Sequence, residues 1–278
     1  MSENEAIMVL TNENQGVLLR DFGKINLDIT LDCGQAFRWS RDKGIWQGIV
    51  RGQEFFISEH NDGLLFHNAT TESVREIMLP YLACDTDYQS IISRLECDAV
   101  MSSAVSRFGT VRILRQEPWE TLCSFIISSC NNIPRIKGII KNMATLFGSR
   151  LPHGHSFPSA ERLACLSVEE LSVLRAGYRA PFILDAARRV ASGEIIFSEL
   201  ERLETAEARQ ILMTIKGVGK KVADCTLLFG LNHLDAFPVD RHIKRISERL
   251  YPDGLPDCFV GIEGVAQQYM FCVARDLQ

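Results

Sequence analysis

The chain has 278 residues, of which 46% are hydrophobic and 23% charged, and a formal net charge of −5. That balance is ordinary for a globular protein of about two domains, each able to bury its own core, and it argues against a protein coated in basic residues for nucleic acid. No apolar run reaches the ~18 residues of a membrane span, so no membrane partner is expected.

The amino terminus, MSENEAIM, lacks a basic and apolar signal pattern. The expected home is therefore intracellular and reducing: cytoplasm or nucleoid, or the nucleus in a eukaryote. The nine cysteines fit it, since their number is odd and most sit in apolar contexts as small core residues. None shows a Cys-x-x-Cys grouping, and the end of the chain lacks a four-cysteine cluster. Neither a metal nor a cofactor is expected. A local basic patch remains compatible with the negative total, because salt screens charges beyond ~8–10 Å.

Residues up to about position 70 read as strands. Ile25, Leu27, Ile29 and Leu31 alternate with Asn26, Asp28 and Thr30, a period of two. Asp42-Lys43-Gly44 separates FRWS from IWQGIV, and Asn61-Asp62-Gly63 separates FFISEH from LLFHN; both are hairpin signals. An antiparallel meander is predicted, with a helical cover starting near Thr71. Within it, Asp32-Cys33-Gly34-Gln35-Ala36-Phe37-Arg38-Trp39 reads from pattern alone as a turn glycine followed by a strand with core aromatics.

Near Phe108-Gly109 the pattern turns helical for the rest of the chain. Trp119, Leu122, Cys123 and Ile126 make one apolar stripe; Ile136, Ile139, Ile140, Met143 and Leu146 make another. Between them lies the polar break Ser128-Ser129-Cys130-Asn131-Asn132-Ile133-Pro134-Arg135. His153 and His155 sit in a loop with no third ligand nearby. Ser167-Val168-Glu169-Glu170 is a capping box, and Gly177-Tyr178-Arg179-Ala180 interrupts the next pair of helices. The predicted fold class is α+β: an antiparallel β-sheet domain over 1–108, then an all-helical domain over 109–278.

The most informative stretch runs from Ile211 to Arg245. Thr205 is the predicted cap of a helix ending near Met213, with Glu207 in its first turn. Lys216-Gly217-Val218-Gly219-Lys220-Lys221 is a glycine turn, and Val222, Cys225, Leu228 and Phe229 recur at helical spacing up to Gly230. Helix, glycine hairpin and helix make a phosphate-binding device. Gly217 and Gly219 permit close backbone approach, and the N–H groups opening the second helix face the anion. Lys216, Lys220, Lys221, Arg241, Lys244 and Arg245 outnumber Asp224, Asp235 and Asp240 here, so this stretch is positive on a negative protein. A helix–turn–helix corner without function is the reading the glycines alone would favour.

Together these residues resemble the helix-hairpin-helix DNA glycosylases of the 8-oxoguanine type. The run G-V-G-x-K-V-A-D-C followed by P-V-D carries the resemblance, and the islands G-Q-x-F-R-W, S-S-x-N-N-I-x-R and G-Y-R-A stand in the same order, covering about residues 20–278. The resemblance implies Lys221 as nucleophile and Asp240 as the catalytic carboxylate, with Cys225 and His242 as further motif positions. It implies a base pocket lined by the Gly34 carbonyl, Gln267, Phe271 and Cys225. DNA contacts follow at Asn131, Asn132, Arg135, Tyr178, Arg179, Gly217, Gly219 and His242. Cys130 departs from the family, where an asparagine often stands.

The implied chemistry is coherent. Releasing a base needs a flipped nucleotide, a nucleophile at C1′ and a carboxylate opposite the cation that develops there. A lysine with a reference pKa of ~10.4 must be depressed to act. Lys220 is the rival nucleophile, about 100° around the helix, and only the family spacing favours Lys221. Guanine N7 accepts a hydrogen bond whereas 8-oxoguanine N7–H donates one, so a buried carbonyl at Gly34 would separate them by about ten- to a hundred-fold. The expectation is a bifunctional 8-oxoguanine glycosylase and abasic-site lyase, monomeric, acting on double-stranded DNA opposite cytosine. The alternatives are the same scaffold directed at another oxidised or alkylated base, or a non-catalytic helix-hairpin-helix DNA-binding module.

Overall fold

The structure is a computed structural model describing residues 8–276. Residues 1–7, most of the stretch read for a signal pattern, lie outside the described residues, as do 277–278.

The predicted meander forms. Strands β1 (Val9–Glu13), β2 (Gly16–Arg20), β3 (Ser40–Asp42), β4 (Ile45–Val50), β5 (Gln53–His60) and β6 (Gly63–His67) make one antiparallel sheet in the order β1-β2-β6-β5-β4-β3. Lys43-Gly44 closes the β3–β4 hairpin with both residues at positive φ, 46° and 85°, the turn that matches strand twist. Arg51-Gly52 closes β4–β5 in the same way, a turn the composition did not announce.

The strand expected over Ile25–Leu31 is a helix, α1 (Leu27–Asp32). Asn26 decides it. Its side chain accepts the N–H of Ile29 at 3.0 Å as a helix cap, and its amide donates to the Phe108 carbonyl at 2.8 Å. Leu27, Thr30 and Leu31 then bury one helical face, while Asp28 bonds the indole of Trp46. Leu27 and Leu31 fit a period of two and a spacing of four equally well, so alternation misled. The segment Phe37–Trp39 is also not strand; β3 begins only at Ser40.

The cover begins where expected, with a capping box between Thr70 and Ser73 opening helical residues 71–81. Nine longer helices follow among the described residues: α2 (Tyr88–Leu95), α3 (Ala99–Phe108), α4 (Pro118–Ser128), α5 (Ile133–Phe147), α6 (Ala180–Ala191), α7 (Thr205–Leu212), α8 (Lys220–Gly230), α9 (Arg241–Leu250) and α10 (Glu263–Asp276). The fold is α+β, sheet first and helices after. Both apolar stripes are buried as read except at Trp119, which is partly buried, and Leu146, which is 49% exposed. Thr205 is not a cap. Glu204 stands there without a side-chain bond, and buried Thr205 donates to Asp235 at 2.6 Å.

Two cores result. One lies beneath the sheet, against α1 and residues 74–82; the other joins the helices. The loop after α1 is shared between them, because Cys33 and Phe37 enter the helical core while Ala36 and Trp39 enter the sheet core. Arg112, 1% exposed, fastens the junction by donating to the carbonyls of Phe22, Lys24, Leu82 and Ala83 between the rings of Phe22 and Tyr88. Five cysteines are buried as small core residues and Cys130 and Cys165 are exposed. Cys97 and Cys258 instead form a disulfide across 161 residues, which departs from the reading of all nine as reduced and which no local spacing announced.

Candidate active site

The glycine hairpin between α7 and α8 is shaped by its neighbours. Gly217 has φ +79°, and a Cβ there would meet the ring of Phe182 at 2.1 Å, so no other residue fits. The Lys216 N–H donates to Asp185 at 2.8 Å, tying the hairpin to α6. Gly219 is the α8 cap residue and supplies no side chain, so the first N–H groups of α8 stay open at the surface. Buried Asp224 pairs with Arg209, which turns one of the three acids in this stretch inward, while exposed Asp235 accepts from Thr205. Lys216, Lys220, Arg241, Lys244 and Arg245 are exposed, Lys244 beside Glu248 at 3.9 Å.

Lys220 and Lys221 part company at this point. Lys220 is exposed at the surface, whereas Lys221 is half-buried and lines a cavity of about 400 Å³. Its Nζ donates to Ser128 Oγ at 3.0 Å and lies 4.7 Å from the ring centre of Phe125. One turn along α8, Cys225 lines the same cavity; burial pushes its thiol up to about 11 against the pull of the Lys221 charge. Asp240, also on the wall, caps α9 by accepting the N–H groups of His242 and Ile243, each at 2.8 Å through Oδ1. No ion pair joins it to Lys221 among the described residues.

The far wall comes from α10 and the loop after α1. Gln267, 5% exposed, donates to the Pro238 carbonyl at 3.2 Å, while its Oε1 is buried without a partner. Phe271 packs on Gly34, which has φ +85°; a Cβ on Gly34 would stand 3.2 Å from the ring. The carbonyls on either side of Gly34 are occupied, Cys33 by Gln268 and Gln35 by Gln116. Asn131, Asn132 and His242 complete the lining as far as the sequence foresaw it. A cavity of this size, with apolar and polar groups in comparable share, suits one planar heterocycle that carries donors and acceptors.

Residues 17–122 match the family described as 8-oxoguanine DNA glycosylase, N-terminal domain, and residues 123–254 match the HhH-GPD superfamily of base excision DNA repair proteins. The N-glycosylase/DNA lyase of Saccharomyces cerevisiae is 32% identical over 267 residues, covering 85% of this chain and 71% of the relative. The chain belongs to the 8-oxoguanine DNA glycosylase family. The N-glycosylase/DNA lyase OGG1 of Arabidopsis thaliana is likewise 32% identical over 253 residues, 83% of this chain and 67% of the relative. Among solved structures, MBOgg1 in complex with a low-affinity DNA ligand superposes with a TM-score of 0.92 at 38% identity, covering 97% of this chain and 99% of that one. The Clostridium acetobutylicum 8-oxoguanine glycosylase/lyase, in complex with double-stranded DNA containing cytosine opposite 8-oxoguanine, gives 0.91 at 31% identity, with 97% and 98% covered.

Arg135, Tyr178 and Arg179 are not among the lining residues. Arg135 is exposed and donates to the Arg175 carbonyl at 3.3 Å. Tyr178, 55% exposed, donates to the Ser129 carbonyl at 3.2 Å, with the Arg179 guanidinium 4.3 Å from its ring centre. Arg179 is buried and donates to the carbonyls of Ser129, Cys130 and Ala176, so in this state it braces the loop after α4. Asn131 donates to the Ile127 carbonyl and Asn132 caps α5. Sequence reasoning missed Ser128 and Phe125 as the neighbours of Lys221. Ser128 stood in a recognised motif, but only packing of α4 on α8 shows what it touches. No group of three His, Cys, Asp or Glu among the described residues could hold a metal, and no helix among them is long and apolar enough to cross a membrane.

Proposed function

We propose that this protein excises 8-oxoguanine from double-stranded DNA, preferring cytosine opposite the lesion, and nicks the strand through a Schiff base on Lys221. One observation carries the reading: a single cavity brings together an amine, a carboxylate, a backbone glycine beside an aromatic ring, and a buried amide oxygen with no partner. A buried acceptor left unpaired costs about 1–3 kcal/mol, so Gln267 Oε1 is suited to a donor on a bound base. The relatives named as glycosylase/lyases and the related structure with 8-oxoguanine opposite cytosine support the substrate.

In this mechanism the unprotonated Lys221 amine attacks C1′ as the C1′–N9 bond breaks. The electron pair leaves with the base, which takes up a proton. Asp240 stabilises the positive charge growing on the sugar. The attached nitrogen loses a proton and O4′ takes one up as the C1′–O4′ bond breaks to give an iminium; β-elimination then removes a C2′ proton as the C3′–O bond breaks, releasing the downstream strand with its 5′ phosphate. Phe271 and Cys225 sandwich the base, Gln267 bonds its Watson–Crick edge and the Gly34 carbonyl accepts N7–H. The hairpin N–H groups and His242 hold phosphates. Arg135 and Arg179 read the orphaned cytosine, Asn131 and Asn132 fill the space left by the flipped base, and Tyr178 wedges at the kink. Gly34 comes from the sheet domain, 1–108, and the other groups from the helical domain, 109–278. The enzyme works as a monomer in the compartment that holds the DNA.

Borohydride trapping on a duplex with 8-oxoguanine opposite cytosine tests the proposal. A covalent adduct that depends on Lys221 is expected, and base release without any adduct would replace Lys221 with water as nucleophile.

A further inference from the structure

Gln268 is 2% exposed, in a part of α10 where every residue from Gly264 to Met270 is buried. An amide buried there is costly unless bonded. Its Nε2 donates to the Cys33 carbonyl at 3.2 Å, spanning 235 residues of sequence. Seven residues along the same helix, Arg275 donates to the Asp32 carbonyl at 2.5 Å, so α10 grips the loop after α1 at two successive carbonyls. On the other side of Gly34, Gln35 is fully buried. Its amide donates to the Thr30 and Arg112 carbonyls, both at 2.8 Å, and accepts from the Leu114 N–H at 2.9 Å; its own carbonyl accepts from Gln116 at 2.7 Å.

Gly34 is therefore a soft residue between two fixed ones. A glycine with φ +85° has several backbone wells of similar energy, and the Cys33–Gly34 peptide plane is free to turn unless its carbonyl is held. We propose that Gln268 is a specificity-determining positioning residue: by holding the Cys33 carbonyl it fixes the peptide plane before Gly34, and with Gln35 anchored on the other side this keeps the next plane, which carries the Gly34 carbonyl, directed at the base pocket. The inference rests on the reading of Gly34 as acceptor for the lesion N7–H. It adds that the discrimination is set from α10, the helix that also carries Gln267 and Phe271, so one rigid element orients three parts of the pocket.

The test uses two variants of the full chain, Gln268→Met, which keeps length without a donor, and Gln268→Leu, which is shorter and equally without a donor. Dissociation constants are measured on duplexes with 8-oxoguanine or guanine opposite cytosine, together with single-turnover excision, thermal stability and borohydride trapping. Preference for the lesion over guanine is expected to fall about three- to ten-fold, from weaker lesion binding alone, with guanine-duplex affinity and the trapped adduct retained. A preference unchanged in both variants, or equal losses on both duplexes, overturns the proposal. If Gln268→Met does not fold, Gln268→Leu decides. Gly34→Ala is measured alongside. Should it lose the preference while the Gln268 variants keep it, Gly34 stands and Gln268 falls. Should Gly34→Ala keep the preference, the acceptor role of Gly34 fails, and the inference with it.

Discussion

Lys221 is held by Ser128: its Nζ donates 3.0 Å to the hydroxyl of the last residue of α4, over the ring of Phe125. The helix that carries the amine thus does not aim it alone. Lys221→Gln is expected to abolish excision and trapping while DNA binding survives. Lys220→Gln, at an exposed position, should weaken binding and leave the adduct. Ser128→Ala should slow single-turnover excision by about three- to ten-fold, the scale of one hydrogen bond, with trapping intact. Loss of trapping in Lys220→Gln alone would transfer the nucleophile to Lys220.

Asp240 does two separable things. Its Oδ1 caps α9, a role that asparagine can fill, whereas its charge faces the cavity. Asp240→Asn should therefore fold and bind lesion DNA normally yet excise about 10²–10³-fold more slowly. Asp240→Ala should show the same kinetic loss and in addition about 1 kcal/mol of destabilisation from the missing cap. Denaturant midpoints and single-turnover rates separate the two effects, and a normal rate in Asp240→Asn removes the charge from the mechanism.

Gly34→Ala combines a left-handed φ of +85° with a methyl 3.2 Å from the Phe271 ring. The expected result is a larger loss on lesion duplex than on undamaged duplex, with a stability cost of about 1–2 kcal/mol from the backbone. Equal losses on both duplexes would reduce Gly34 to a turn residue.

Cys225 lines the cavity, and burial raises its thiol to about 11. A raised pKa keeps the neutral thiol below that pH, so thiolate at pH 8 is scarce. Alkylation by iodoacetamide at pH 8 should label exposed Cys130 and Cys165 well before Cys225, whose labelling should climb only as pH approaches 11. Early labelling of Cys225, mapped by peptide mass, would contradict the environment described for it.

Much of this site was legible because its signals are local. A glycine between two apolar helices, a proline turn ending in aspartate and a turn glycine before aromatics can each be read from a few neighbours. What failed was also local in cause. At α1, Leu27 and Leu31 satisfy both periods, and the deciding contact, Asn26 with Phe108, spans 82 residues. Arg112, Gln268 and Ser128 were invisible for the same reason, since their meaning lies in carbonyls and amines brought from elsewhere by packing. Thr205 looked like a cap because its residue type suits one, yet its hydroxyl bonds Asp235 instead and the cap position falls one residue earlier, at Glu204.

The departure at Cys130 has a structural setting that sharpens its test. Cys130 is exposed, outside the cavity, with φ +49° just beyond the end of α4, and Arg179 holds its carbonyl at 3.1 Å. A left-handed backbone is strained for cysteine and tolerated by asparagine, whose short amide bonds locally. Cys130→Asn should therefore raise stability by about 0.5–1 kcal/mol, read from a denaturant midpoint without DNA. A second expectation concerns the opposing base. Cysteine is a weak donor and acceptor, so the support around the orphaned cytosine is thinner here than an asparagine would make it. Preference for cytosine should be mild in this protein and sharper in Cys130→Asn by about one hydrogen bond, ~0.5–1.5 kcal/mol. Excision rates on the four opposing bases, measured for both proteins, separate the two effects. A stability gain with identical ratios would leave Cys130 a helix-terminating residue and give the work at the flipped-out gap to Asn131.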